Sequence, residues 1–154
     1  MLLEQIVASI EAQIPRSLDD IITKNREFAS QYIATKKQVA ALQKTIPHPG
    51  DQLIKKSIND WRLVTLDIKH AGEVARYVRL LGYHDEARGC CTLTSPILGI
   101  DLGTGIVVTR SGSFYRLVGP CGQGEPTLFQ LLLVCADFHN VGYGRFFGVP
   151  HVYY

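Results

Sequence analysis

The chain has 154 residues, 46% of them hydrophobic and 19% charged, so it carries enough apolar side chain for a real core and is not intrinsically disordered. Sixteen Lys+Arg against fourteen Asp+Glu leave a formal charge of +2, which excludes a strongly basic nucleic-acid coat and an acidic tail protein. A mass of 17.1 kDa suits one domain, or one small domain plus an appendage, and is too small for most multi-layer nucleotide enzymes.

In chain order, Leu3, Val7, Ile10 and Ile14 are spaced four, three and four apart and predict a helix over residues 2–14, interrupted at Pro15. Ser17 is placed to cap a second helix, with Asp19 and Asp20 in its first turn. From Leu18 to Ile46, steps of three and four through Ile21, Asn25, Phe28, Tyr32, Thr35, Val39 and Leu42 read as an a/d seam of about four heptads. That seam predicts a helical hairpin or a coiled-coil homodimer through residues 18–46. Pro47-His48-Pro49-Gly50 ends the helix as a hinge. Asp51 caps a short helix through Leu53, Ile54 and Ile58, and Trp61–Ile68 is either a strand or its continuation. Glu73–Leu81 reads as a helix stopped by Gly82.

From Thr92 the pattern changes. ILGID, IVVTR and FYRLV, separated by glycine-containing turns, predict an antiparallel meander. Pro126 opens a C-terminal helix, Thr127–His139, apolar almost all round and therefore buried. The expected fold class is α+β: a helical N-terminal half with a long heptad helix, a small antiparallel β-meander and a buried C-terminal helix. Residues 1–46 form a helical hairpin or coiled-coil arm and 51–154 an α+β domain, unless the two make one continuous domain.

Two segments look like nucleotide sites. VGPCGQGEPTLFQLLL resembles the phosphate-binding loop of P-loop NTPases, with Gly119 and Gly124 in the Gly-x-x-x-x-Gly frame after a strand and before a helix. The family's phosphate-contacting Lys falls on Glu125, whose carboxylate repels phosphate, and its Ser/Thr falls on Pro126. GIDLGTG at Gly99–Gly105 resembles the first phosphate motif of the actin, sugar-kinase and heat-shock chaperone superfamily through Asp101, Gly103 and Thr104. The 49 residues after Gly105 cannot hold that superfamily's remaining motifs. Both segments are therefore read as Gly-rich turns.

None of the five histidines forms an HExxH or H-x-H pair, and the four cysteines contain no C-x-x-C. Cys135 and His139 would share a helix face, which is better explained by a buried thiol beside a helix-end histidine than by a catalytic pair. No catalytic residue, metal ligand or cofactor is assigned. With no signal peptide evident and no apolar run near the roughly 18 residues of a membrane span, the expected location is cytoplasmic, with reduced thiols.

Six of the fourteen aromatics fall in the last seventeen residues: Phe138, Tyr143, Phe146, Phe147, Tyr153 and Tyr154. Glycines at 142, 144 and 148 break any helix there. Such a segment either folds back over the sheet or anchors a partner, since Tyr, Phe and Arg dominate interfaces. The leading expectation is a non-enzymatic protein–protein interaction module: an inhibitor, an adaptor or an accessory subunit of a larger bacterial or viral complex. Its partner-binding residues would be Tyr143, Arg145, Phe146, Phe147, Tyr153 and Tyr154. The alternative is a nucleic-acid-associated factor using Lys36, Lys37, Lys44, Lys55 and Lys56 on the helical half.

Overall fold

The computed structural model describes residues 2–151, apart from the side chains of Ile10 and Glu11. Helix α1 spans Leu2–Gln13, and a single 3-10 turn follows at Leu18–Asp20. Strand β1 (Ala29–Ile33), helix α2 (Lys36–Leu42) and the long strands β2 (Ile54–His70) and β3 (Glu73–Asp85) come next. Strands β4 (Cys90–Leu93), β5 (Ile97–Asp101), β6 (Ile106–Thr109) and β7 (Phe114–Leu117) precede helix α3 (Leu128–Asn140).

The seven strands form one mixed sheet in the order β4-β3-β2-β7-β6-β5, and β1 also pairs with β2. Strand β2 organises it. Its N-terminal part pairs parallel with β7, Ile58 opposite Leu117, and its C-terminal part pairs antiparallel with β1 and β3. The β2–β3 hairpin turns on Ala71 (φ 52°) and Gly72 (φ 81°), the two positive dihedrals that match the twist of a two-residue connection. Between Asn59 and Arg62 the register shifts at a bulge where Asp60 takes φ 44°. Bulges bend a strand and sharpen its twist. This one separates the two halves of β2 and turns Arg62 inward.

Alternation along β2 and β3 supplies two cores. On one face Val64 and Leu81 pack with Leu131, Val134 and Phe138 of α3 and with Leu18, Ile21 and Phe147. On the other, Leu63, Val78 and Leu80 pack with Ile97, Ile100, Val107 and Tyr115 of the β5–β7 meander, and with Val39 and Leu42 of α2.

The protein is thus a sheet-rich α+β fold with short helices, and the helical N-terminal half is a misreading. Residues 18–46 hold a 3-10 turn, β1 and the seven-residue α2. The seam fails physically at two of its polar members. Asn25 adopts φ 55°, a left-handed conformation that no helix continues through. Thr35 is an N-cap: its hydroxyl accepts from Gln38 N while the Gln38 side chain accepts from Thr35 N, a capping box that starts a new helix. The coiled coil, the helical hairpin and a homodimer through an 18–46 helix therefore have no element to form from. The short helix after Asp51 and the helix over Glu73–Leu81 are also strand, the start of β2 and most of β3. Val74, Tyr77, Val78 and Leu81 match both a helical stripe and a strand, and pairing with β2 decides it.

The meander is present as β5–β7 and the C-terminal helix as α3, although Leu128 and Phe129 at its start are exposed. Among the described residues, no helix is long and apolar enough to cross a membrane.

Candidate functional site

The segment after α3 is built by local rules. Val141 N donates to Asp137 O, and Tyr143 N and Gly144 N both donate to Phe138 O at 2.9 Å, closing the helix with Gly142 at φ 91°. Gly144 has no alternative: a Cβ there would lie 2.2 Å from His139 Nδ1. A further turn runs from Tyr143 O to Phe147 N, and Val149 N returns to Gly144 O.

This loop is fastened to residues 23–28, more than a hundred positions away. Thr23 N and Lys24 N donate to Phe147 O at 2.8 and 3.0 Å. Thr23 Oγ1 donates to Gly148 O at 2.6 Å, and Asn25 Nδ2 donates to Phe146 O at 2.7 Å. The left-handed turn at Asn25 also delivers Phe28 to the same place. The Phe28 and Phe146 rings lie 6.1 Å apart, within the range of favourable aromatic pairs.

The tail aromatics divide. Phe147 is 4% exposed and sits edge-on to Phe138, centroids 6.0 Å apart. It is the pin that holds the loop to the core. Tyr143 is 60% exposed, Phe146 49% and Phe28 44%. Arg145, between Tyr143 and Phe146, is exposed, as is Lys24 at the edge of the staple. Tyr153 and Tyr154 lie outside the described residues. Phe28 is the residue that sequence reasoning missed: it counted as one apolar member of a helical seam, and nothing local signals a partner 118 positions on.

The five lysines belong to separate elements. Lys36 and Lys37 open α2, Lys44 follows its end, and Lys55 and Lys56 are neighbours on β2, whose side chains leave on opposite faces.

The loop that resembles a phosphate-binding loop wraps an internal cation. The buried Arg62 donates to Gln123 O, Gly124 O, Asp60 O, Asp60 Oδ2 and Gln130 Oε1, and Trp61 Nε1 donates to Gly119 O at 3.0 Å. A phosphate cradle turns amide N–H groups inward. Here carbonyls converge on a guanidinium, the opposite polarity. The Gly99–Gly105 motif is a β5–β6 hairpin in which Asp101 accepts from Gly103 N and Thr104 Oγ1.

Other reactive groups are occupied structurally. Burial pushes the Cys91 thiol up to about 11, so at neutral pH it is not a thiolate nucleophile. Burial also raises the Tyr83 hydroxyl, which is hydrogen-bonded to Thr127 at the start of α3. Cys135 is buried, and His139 points Nε2 at Val149 O, 3.0 Å away, while stacking on His151. Among the described residues, no three His, Cys, Asp or Glu side chains converge.

No family model, curated protein or solved structure matches this chain.

Proposed function

We propose that the protein is a protein-docking module, an inhibitor, adaptor or accessory subunit, whose contact surface is Phe28, Tyr143, Arg145 and Phe146. One observation carries the reading. The exposed rings of Phe146, on the loop after α3, and of Phe28, on the distant segment, are brought together by four hydrogen bonds that tie the loop's carbonyls to that segment. A solvated loop tip has no need of such fastening, whereas a binding surface gains from it, because side chains already ordered lose little entropy on association. Aromatics and Arg are also the residues that concentrate binding energy in hot spots. Cys90, Cys91 and Cys121 are thiols, which suits a reducing compartment such as the cytoplasm.

The test is capture from host lysate on the wild-type chain and on a Tyr143→Ser/Phe146→Ser double variant, each with and without nuclease. The reading expects a protein partner that survives nuclease and is lost with the variant, whose melting temperature stays close to wild type. Identical capture by both chains contradicts it. Capture abolished by nuclease alone transfers the function to the lysines.

A further inference from the structure

We infer that α1 is an exchange arm: the helix of one copy docks on the Phe28–Tyr143–Phe146 surface of a second copy, and the second copy reciprocates. The inference rests on the docking reading above and names the occupant of that surface.

Helix α1 is the least explained element in the molecule. It has 12 residues, and every residue from Leu2 to Ser9 is exposed. Leu3 alone is 73% exposed. An isolated helix below about 12–15 residues is marginal in water, so α1 needs a surface to pack on. At roughly 100° per residue, Leu2, Ile6, Leu3 and Val7 fall within about 140° of arc, the stripe of a helix that buries one side. The Phe28–Phe146 surface has the converse need, with two half-exposed rings, and Tyr143, 60% exposed, is on the same loop as Phe146. Among the described residues, one chain therefore presents both an exposed apolar helix stripe and an exposed aromatic surface.

Position and charge select a second copy as the occupant. The base of the arm lies near the loop that carries Phe146: Gln13, Ile14 and Pro15 share a cleft of about 730 Å³ with Thr23 of the fastening segment and with Gly148 and Val149, two and three residues after Phe146. Pro15 ends the helix, so the arm leaves the body at this point. Two copies related by a two-fold axis passing near the cleft bring each arm to the other's surface, and the symmetry closes at two. Glu4 flanks the apolar stripe on the Val7 side, and the two segments that carry the rings expose Lys24, Arg26 and Arg145 against the single acid Glu27, so an acidic arm meets a surface of net positive charge. The same Glu4 opposes docking on an anionic lipid surface, which favours Lys and Arg beside an apolar stripe. A reciprocal exchange makes the contact twice, bringing a helix-sized footprint toward the roughly 1,200 Å² of a stable interface.

The test is the solution mass of the full chain, by light scattering after gel filtration, over a range of loading concentrations. The expected mass is twice 17.1 kDa. Leu3→Ser and Phe146→Ser, both at exposed positions, should each weaken the dimer on the order of tenfold or more without lowering the monomer's melting temperature. Glu4→Arg should weaken it, and Arg145→Glu added to Glu4→Arg should restore it. A monomer at every concentration overturns the exchange. So does a dimer that is lost with Leu3→Ser but untouched by Phe146→Ser, which means that the helices pair with each other, and so does a dimer indifferent to both. A monomer that still captures a foreign protein through Tyr143 and Phe146 leaves the docking reading standing and removes only the exchange.

Discussion

Arg62 shows how one residue fixes a loop and a strand together. Its guanidinium is 5% exposed and donates to side chains and carbonyls from the β2 bulge, the 119–124 loop and α3. Removing one partner of a buried, hydrogen-bonded charge costs about 3–5 kcal/mol; here Gln130 stays buried but Asp60, 31% exposed, can rehydrate, which sets the loss at the lower figure. Arg62→Ala should therefore cost the protein that much in denaturant unfolding. Arg62→Lys should recover only a minor part, since an ammonium cannot span acceptors on three elements. None of this was legible in the sequence. Arg62 sits in an ordinary alternating run, and its burial depends on a bulge that no residue type announces.

Asp67 carries the clearest pH dependence. Its carboxylate accepts from Arg76 Nε and Nη2 at 2.7 and 3.0 Å and from the Tyr32 hydroxyl at 2.6 Å. The Arg76 bonds, more than any other cause, hold it below the usual carboxylate range. A group depressed in the folded state contributes its full stabilisation above its unfolded value, near 4, and loses it as pH falls through the lower folded value. Melting temperature should fall on acidification below about pH 4. Asp67→Asn should lower it at neutral pH and flatten that acid limb; an unchanged limb would assign acid sensitivity elsewhere.

At the scale of elements, the helices are started by caps and held by side chains of the sheet. Gln38 caps α2, accepts from Thr65 Oγ1 at 2.6 Å and donates to the Tyr32 hydroxyl at 2.9 Å. Thr65 is fully buried, so Gln38→Ala leaves a buried hydroxyl short of a partner. The expected loss is about 1–3 kcal/mol, read from chemical denaturation; a neutral result would mean that α2 is held by Val39 and Leu42 alone. The same Thr-x-x-Gln signature recurs at Thr127 and Gln130. There the sequence reading found the helix but started it early, with Pro126 as its first position, whereas Thr127 is the N-cap and the helix begins at Leu128. At Thr35 the identical signature falls inside a three-four spacing that extends through turn, strand and helix, and Thr35 counted only as a polar member of that seam. Spacing alone cannot tell a helical stripe from short elements in succession. Asn25, a residue type that tolerates the left-handed conformation, carried a contrary signal, whereas Ala29–Ile33 (ASQYI) has only Tyr32 and Ile33 to favour a strand.

Over the whole molecule, the second half was more legible than the first. The meander and α3 follow from turns and runs that act locally. The central hairpin does not, because Glu73–Leu81 has residues compatible with either period, and its strand identity comes from pairing with β2. The candidate surface was half legible: glycine-spaced aromatics marked the tail, whereas the burial of Phe147 and the arrival of Phe28 are tertiary facts. The fold also orders the thiols. Cys121 is exposed, Cys135 is buried, and Cys91 is half-buried and held as a thiol by burial. Alkylation at neutral pH should label Cys121 in the native protein and reach Cys135 and Cys91 only on unfolding; early labelling of Cys135 would contradict the α3 packing.

The central claim is that the Tyr143–Phe146 face docks protein. Its most direct test is site-specific photo-crosslinking in the host, with a benzophenone side chain at position 143 and, as control, at Leu53, which is 84% exposed on the loop before β2. The account predicts a discrete protein adduct from position 143, whether a second copy or another chain, and none from position 53. No adduct at 143, or the same adducts from both positions, would contradict it.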